Sequence, residues 1–250
     1  MAHTAEQILE NYNKLNQIIS DNFEGTQQDN IINMVHHFED RISETPASAR
    51  PQYHNCWPGG WLDHTLRVIE TSLNVKQMFI SMGVDVRHSD SDIILAALCH
   101  DLGKLGDTDR AYYIIQEDDW RRRKLNEHYT HNEDLEPLSV TDRALWLLQH
   151  FNVQVDECVW KAIKLSDGLF DDGNVSLFKR PQTSTNILHY IVHFADWMST
   201  VAEKMHYMQT KDENLTKIKE TFKPNIKKSK PITPDPNAER MKKQFEELFK

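Results

Sequence analysis

The sequence has few cysteines and no long apolar run. Its three cysteines, Cys56, Cys99 and Cys158, are scattered and odd in number, which argues against a disulfide framework and favours a reducing compartment. No apolar run approaches the length of a membrane-spanning helix, which is about 20 residues. The first residues do not join a basic segment to an apolar one, as a secretory signal does. We therefore expect a cytoplasmic protein with no membrane segment.

Positive charge is also scarce, since 29 Lys and Arg stand against 38 Asp and Glu and the formal net charge is -9. Binding along duplex nucleic acid needs clustered Lys and Arg to neutralise phosphates, so this balance disfavours a broad nucleic-acid surface. A local basic channel remains compatible with it. The composition favours a small substrate, or the end of a short strand, over duplex DNA.

Two common catalytic motifs are absent as well. The sequence contains no Gly-x-Ser-x-Gly turn of the kind that presents a nucleophilic serine. It also lacks a Gly-rich loop ending in Gly-Lys-Ser/Thr, which argues against an ATPase.

Apolar residues recur at helical spacing, and the alternation typical of strands is nearly absent. The sequence therefore predicts an all-α fold, and its 250 residues suit one large domain with a small appendage. We predict a compact helical bundle in three parts. These are an N-terminal helical segment over 1–48 that packs on the core, a central domain over 49–210, and a basic, proline-containing extension over 211–250.

Capping residues mark where several helices begin. Thr4 and Gln7 have the spacing of a capping box at the start of the first helix. Three later helices have Ser or Asp caps, at Ser89 or Ser91, Ser139 and Asp156. We predict the second helix over about 27–42 and the longest over about 185–208. The pattern weakens over 105–138, where we predict a long loop with a functional role.

The candidate chemistry centres on the end of an apolar, helix-patterned run over residues 93–104. His100 and Asp101 are adjacent there, and Gly103 and Lys104 follow. Imidazole nitrogen and carboxylate oxygen are ligands for hard or borderline divalent ions. We expect Gly103 to let the backbone turn and Lys104 to place an ammonium beside whatever the metal holds.

Two further side chains complete a candidate ligand set. His64 lies in the first turns of a helix that follows a Pro-Gly-Gly turn at 58–60. Asp196 lies in mid-helix between apolar neighbours, where an unpaired carboxylate would be costly to bury. The most economical metal set is therefore His64, His100, Asp101 and Asp196, with one position left open for water.

These motifs, in this order, resemble the H…HD…D signature of the HD-domain superfamily of metal-dependent phosphohydrolases. Residues 58–64, Pro-Gly-Gly-Trp-Leu-Asp-His, are similar to the Pro-Gly-Gly-x-x-x-His segment of several HD families, including bacterial HD exoribonucleases. Residues 100–104, His-Asp-Leu-Gly-Lys, match the usual extension of the HD pair. The resemblance covers residues 53–203 and implies a compact helical domain with the four ligands named above.

The family also includes members with a second metal ion, held by histidines between the HD pair and the late Asp. His131 (or His128) and His150 lie in that interval and fit such roles. Some related sequences carry His-Asp-Gly near the position where this chain has Ser-Asp-Gly, at 166–168. The number of ions, one or two per chain, therefore stays open. Ligands of this kind suit Mn²⁺, Fe²⁺, Ni²⁺, Co²⁺, Mg²⁺ or Zn²⁺.

The resemblance implies hydrolysis of a phosphoester in a nucleotide or nucleotide-like substrate. Asp101 would orient or deprotonate a metal-activated water, and Lys104 would stabilise anionic oxygens. His54 and Arg67 are further candidates for substrate binding, although Arg67 could instead pair with an acid such as Asp63.

Two alternative functions stay open from the sequence. One is a single-strand nuclease of the HD type, with the basic residues 217–230 guiding the strand and Trp57 or Trp61 stacking on bases. The other is a non-catalytic HD module that binds a nucleotide or a protein. The sequence also leaves the exact substrate and the oligomeric state open.

Overall fold

The computed structural model describes residues 3–178 and 186–221, and it confirms an all-α protein. The helices of this part of the chain are α1 (Ala5–Asn22), α2 (Gly25–His37), α3 (Glu39–Glu44), α4 (Gly60–Ser81), α5 (Asp90–Cys99), α6 (Asp119–Leu125), α7 (Val140–His150), α8 (Glu157–Lys164), α9 (Asp172–Phe178) and α10 (Leu188–Thr221). Within the described residues, no helix has both the length and the apolar character needed to cross a membrane.

The helix caps predicted from the sequence are confirmed. Thr4 and Gln7 form the expected capping box, in which each side chain accepts a hydrogen bond from the backbone N–H of the other residue. Ser89, rather than Ser91, begins α5 and forms a second capping box with Asp92. The side chains of two other predicted caps also accept backbone bonds at their helix starts, at Ser139 and Asp156. Local sequence therefore determines where these helices begin.

The prediction of one continuous helix over 27–42 is wrong. Phe38 leaves the helical conformation, with φ of -98° and ψ of 13°, and separates α2 from α3. Its ring is buried, and its centroid lies 5.8 Å from that of Phe151, which follows α7. This contact joins parts of the chain that are far apart in sequence, so helical periodicity alone does not predict the break.

The core is built around α5. Every residue from Ile93 to Cys99 is buried, and a helix that is apolar on all sides needs neighbours all round it. It packs on α4, on α8 and on the 3-10 turn Leu102–Leu105 that follows it, while α1 and α3 pack on α4. The end of α5 therefore brings His100 and Asp101 to a fixed position inside the protein.

A small hairpin lies within the predicted loop over 105–138. Strand β1 (Tyr113–Ile115) pairs in antiparallel fashion with β2 (Tyr129–His131), and Tyr113 lies opposite His131. The carbonyl of Ala49 accepts hydrogen bonds from the backbone N–H groups of His128 and Tyr129. The hairpin is thereby fastened to the segment between α3 and α4. Its strands of three residues are too short to show alternation in the sequence.

Residues up to Lys211 form one compact unit, in which apolar side chains from α1 to α3 share a core with those from later helices. The predicted boundary between 1–48 and 49–210 therefore lies inside a continuous core. A second unit covers Asp212–Lys250, and residues 222–250 of the predicted extension lie outside the described part of the chain. The boundaries of the three predicted parts stay predictions.

Candidate metal centre

Side chains from three helices converge at the end of α5. His64 comes from α4, His100 and Asp101 follow α5, and Asp196 comes from α10. The Nε2 atom of His64 lies 3.1 Å from Asp196 Oδ1, 3.4 Å from His100 Nε2 and 3.8 Å from Asp101 Oδ2. The Nε2 atom of His100 lies 3.5 Å from Asp101 Oδ2 and 3.9 Å from Asp196 Oδ1. The four residues predicted as ligands thus form one cluster, in which His64, His100 and Asp101 are buried and Asp196 is partly exposed.

The separations within this cluster are close to those around a single ion. Ligand atoms bound about 2.1 Å from one ion lie about 3.0 to 3.4 Å apart in octahedral or tetrahedral arrangements. The observed separations of 3.1 and 3.4 Å fall within these values, and those of 3.5, 3.8 and 3.9 Å exceed them. The buried cluster of His64, His100 and Asp101 could therefore hold a metal ion, and Asp196 is placed to complete it.

The outer nitrogens of both histidines favour this use of the cluster. His64 Nδ1 lies 3.1 Å from a carboxylate oxygen of Glu203, and His100 Nδ1 lies 2.7 Å from the carbonyl oxygen of Ala97. Since both partners are acceptors, each Nδ1 must carry the proton. In the neutral imidazoles the Nε2 lone pairs then point into the cluster, beside two carboxylates. Such a set of converging lone pairs is suited to a cation.

In the absence of an ion, protons on the imidazole nitrogens of His64 and His100 would form hydrogen bonds to the neighbouring carboxylates. Burial by itself lowers the pKa of His64, but Glu203 and Asp196 raise it to about 10. Burial likewise lowers the pKa of His100, and the Asp101 carboxylate raises it overall. Metal ions and protons would therefore compete for these nitrogens, and ion binding should release protons.

Lys104 holds Asp101 in its ionised form. Its Nζ atom donates to Asp101 Oδ2 at 2.6 Å and to the carbonyl oxygen of Ala47 at 2.9 Å. Burial tends to raise the pKa of Asp101, but Lys104 and then His100 lower it well below its usual range. The pKa of Lys104 is raised in turn, because Asp101 outweighs the effect of burial. The predicted ammonium beside the ligands is therefore present, and it is fixed by two contacts.

Trp61 fixes the backbone of the His-Asp pair. Its indole Nε1 donates to the carbonyl oxygen of Asp101 at 2.9 Å, and the side chain is completely buried. The suggestion that Trp61 stacks on bases is therefore wrong, since its ring is enclosed by the core. Trp57 is half-buried, and its ring lies edge-on to that of His3.

Two glycines allow close approach of chain segments around the site. A Cβ atom on Gly60 would lie 2.0 Å from the carbonyl oxygen of Asn55, in the turn that leads into α4. A Cβ atom on Gly103 would lie 2.1 Å from the carbonyl oxygen of Val140, at the start of α7. Gly103 does not have a positive φ. The backbone turns here as expected, in the 3-10 turn Leu102–Leu105, and the missing side chain of Gly103 also makes room for α7.

Glu203 is a site residue that the sequence analysis did not assign. It lies on α10 two turns after Asp196, so both carboxylates share one helix face. Its Oε1 atom accepts a hydrogen bond at 3.1 Å from Nε of Arg67, and its Oε2 atom faces His64. A carboxylate that fixes the outer nitrogen of a ligand histidine is typical of metal sites. The spacing of seven residues was the available signal.

Arg67 is occupied by this contact with Glu203. It is not among the residues that line the cavity beside the cluster, and it pairs with an acid as one alternative from the sequence proposed, although that acid is Glu203 and not Asp63. Asp63 instead accepts a hydrogen bond from Asn55 and contacts His3. Arg67 therefore lies behind the candidate ligand His64, and its contact with substrate stays a prediction.

A cavity of about 730 Å³ lies beside the cluster, within the range of pockets that bind small molecules. Its lining includes side chains from α10, from the hairpin and from the segment after α3, among them His54, Lys104, His131, Asp196, Thr200 and Lys204. The ring of His54 lies 4.8 Å from that of His64. Burial, and next His64 and Lys104, hold the pKa of His54 well below its ordinary value. His54 thus lines the pocket as predicted, in its neutral form.

The candidate ligands of a second ion are dispersed. His131 lines the cavity and contacts the rings of Tyr112 and Tyr113, whereas the exposed His150 packs against Trp146 and Phe151. Among the described residues, neither histidine belongs to a cluster of ligand atoms within 4.8 Å of one another, and the same holds for His128. A second ion stays a prediction from the sequence.

The Ser-Asp-Gly segment over 166–168 lies close to the cluster. Burial raises the pKa of Asp167, and the nearby Asp101 raises it further. The carbonyl oxygen of Ser166 accepts a hydrogen bond from His193 Nδ1 at 2.8 Å. The side chain of His193 therefore packs against the backbone of this segment.

Comparison with known proteins does not add to this geometry, since no family model, no curated protein and no solved structure matches the chain. The site has to be interpreted from its own chemistry.

Proposed function

We propose that the protein is a metal-dependent phosphohydrolase of the HD type, acting on a phosphoester of a nucleotide or nucleotide-like substrate. The observation that carries this proposal is the convergence of two imidazole nitrogens and two carboxylate oxygens beside an open cavity. The outer nitrogens of both imidazoles are engaged elsewhere. The H…HD…D resemblance supplies the reaction and the substrate class.

The side chains around the cluster would have different roles in the proposed reaction. A bound divalent ion would supply a Lewis acid and a water of lowered pKa. Glu203 holds the proton on His64 Nδ1, so the Nε2 lone pair faces the position that an ion would occupy. Lys104 keeps Asp101 ionised and also lines the cavity, where its ammonium would neutralise charge on phosphate oxygens.

The test is hydrolysis by the Mn²⁺-loaded protein of nucleoside monophosphates, cyclic nucleotides and short oligonucleotides, followed by release of phosphate or of shortened product. We expect Asp101→Ala to abolish hydrolysis and to leave the far-ultraviolet dichroism of a helical protein. Because this change leaves Lys104 without its buried partner, the milder Asp101→Asn should be measured beside it.

Asp90→Asn is a matched control. Asp90 lies at the exposed start of α5, the helix that Asp101 follows, and pairs with Lys76. This variant should hydrolyse as the wild type does. Hydrolysis that persists in both Asp101 variants would refute the assignment.

The two alternatives have less support. The strand-guiding residues 217–230 lie largely outside the described part of the chain, and the nuclease model loses Trp61 as a stacking surface. Strong dependence of substrate affinity on salt would still favour a nuclease. A non-catalytic module would contain no bound transition metal after purification and would not be activated by added Mn²⁺ or Mg²⁺.

A further inference from the structure

A second charged cluster, built from other elements, lines the same cavity. Arg50 follows α3, Arg121 lies on α6, and the buried Glu127 lies between α6 and β2. Glu127 Oε2 accepts a hydrogen bond from Arg50 Nη2 at 3.0 Å, and Oε1 accepts one from Arg121 Nη1 at 3.4 Å. Gln116 Nε2 donates to Oε1 at 3.2 Å. One buried carboxylate therefore holds two guanidinium groups at the cavity wall.

This second cluster keeps a surplus of positive charge. Two guanidinium groups share one carboxylate, and the side chains of Arg50 and Arg121 are 31% and 50% exposed. A guanidinium offers five N–H donors, and each of these two bonds to Glu127 through one nitrogen. The paired groups can therefore still donate to an anion in the cavity, and guanidinium matches the shape of phosphate oxygens.

The cavity as a whole differs in charge from the rest of the chain. Four Lys and Arg side chains line it against two carboxylates, although the formal net charge of the protein is -9. With Asp101 and Asp196 ionised, Lys104 and a bound divalent ion would leave one net positive charge at the buried cluster, enough to neutralise one singly charged phosphate. The two arginines come from different elements and do not pair with any of the cluster's carboxylates. A second anionic group on the ligand would account for them.

We propose that Arg50 and Arg121 form a subsite for a second phosphate group of the substrate. The inference rests on the proposed function, because it places the first phosphate at the candidate metal centre. The substrate class is then a nucleotide with two separated phosphates, either a nucleoside bisphosphate or the 5′-phosphorylated end of a dinucleotide. A purely structural role, in which the arginines only fasten α6 and the hairpin to the segment after α3, is the interpretation to be excluded.

The experiment compares three probes with the full-length, Mn²⁺-loaded protein: adenosine 5′-monophosphate, adenosine 3′,5′-bisphosphate and the 5′-phosphorylated dinucleotide of adenosine. In the wild type, kcat/KM for at least one two-phosphate probe should exceed that for the monophosphate by about tenfold or more. Arg50→Gln and Arg121→Gln should reduce this ratio to near one, and a higher KM for the two-phosphate probe should carry the loss.

Arg122→Gln is the matched control. Arg122 is the next residue on α6, pairs with Asp119 on the same helix and does not line the cavity. This variant should keep the wild-type ratio. Preference for the bisphosphate would place the two phosphates on one nucleoside, and preference for the dinucleotide would place them on two linked nucleosides. Either preference supports the subsite.

Two results would overturn the inference. One is equal kcat/KM for all three probes in the wild type. The other is a parallel loss on all probes in the Arg50 and Arg121 variants, which a structural role would cause. Thermal unfolding of each variant identifies any that fail to fold, and for those the Arg→Lys variants take their place. The Arg→Lys variants keep the positive charge but lose the planar guanidinium group. They should therefore lower the kcat/KM ratio between two-phosphate and one-phosphate probes less than the Arg→Gln variants do.

Titration calorimetry with adenosine 3′,5′-bisphosphate separates this inference from the proposed function. If no probe is hydrolysed, but Arg121→Gln weakens binding and Arg122→Gln does not, the subsite stands and the hydrolase assignment fails. If hydrolysis occurs without any preference for two phosphates, the hydrolase assignment stands and the subsite fails.

Discussion

Buried glutamates occur at two places around the cavity, and they do different work. Glu203 lies behind the candidate metal centre and Glu127 lies in the wall next to the hairpin, with 5% and 6% of their surface exposed. Each accepts a hydrogen bond from an arginine. Glu203 also contacts the candidate ligand His64, whereas Glu127 also accepts hydrogen bonds from a second arginine and from Gln116. A buried glutamate therefore orients a candidate metal ligand in one place and holds two positively charged side chains together in the other.

The elements that carry these residues also differ. The candidate ligands come from α4, the end of α5 and α10, next to the core, and His64 and His100 are almost fully buried. The wall of the cavity consists of a short helix, a hairpin with strands of three residues and half-exposed arginines. We therefore expect the metal centre to be rigid and strongly affected by substitution, and the wall to tolerate change.

The largest difference between the two regions should appear in metal binding. His100→Ala removes a ligand nitrogen from the buried cluster and should abolish Mn²⁺ binding in titration calorimetry, because the remaining ligands no longer enclose the ion. His150→Ala removes an exposed histidine that packs on Trp146 and Phe151 and should keep the wild-type stoichiometry. Loss of one of two ions in the His150 variant would instead place a second ion at α7.

A smaller difference should appear in stability. Leu98 is almost fully buried on α5, so Leu98→Ala should lower the free energy of unfolding by about 2 to 5 kcal/mol. Ile115 on β1 is 69% exposed, and Ile115→Ala should change the free energy of unfolding by less than about 0.5 kcal/mol. Urea unfolding of the metal-free proteins, followed by circular dichroism, provides both values. Similar losses in the two variants would mean that the hairpin is packed as tightly as the core.

The smallest effect that we predict is a difference in Mn²⁺ affinity between variants of Glu203 and Glu127. Glu203→Gln keeps the shape of the side chain but holds the His64 proton less strongly, so Mn²⁺ affinity should fall by about 10- to 100-fold. Glu127→Gln should leave Mn²⁺ affinity unchanged, because none of its partners is a candidate ligand. Competition with a metal indicator dye would measure both affinities. Equal losses would show that the wall is coupled to the metal centre.

Much of the candidate metal centre was predictable from short stretches of sequence. The apolar run that ends in His100 and Asp101 indicates a buried helix with ligands at its end, and the capping residues mark where α5 and α7 begin. His64 and Asp196 are recognisable because ligand-type side chains stand in apolar or turn surroundings. These signals depend on neighbours within a few turns of helix, which is why they can be found without the fold.

Other features depend on contacts between distant parts of the chain. The break at Phe38, the burial of Trp61 and the pairing of Arg67 with Glu203 each involve a partner far away in sequence. The two arginines around Glu127 are a further case, since Arg50 and Glu127 are 77 residues apart. No local pattern distinguishes these side chains from ordinary surface or core residues.

The sequence by itself determined the all-α class, several helix starts and the four residues of the candidate cluster, because periodicity, capping and ligand type are local properties. The tertiary structure decided which partners hold those ligands and what else faces the cavity. It placed Glu203 behind His64 and joined Arg50, Arg121 and Glu127 at one wall. Such pairings arise only when α10 and the hairpin pack against the body of the protein, since contacts across long separations follow from packing.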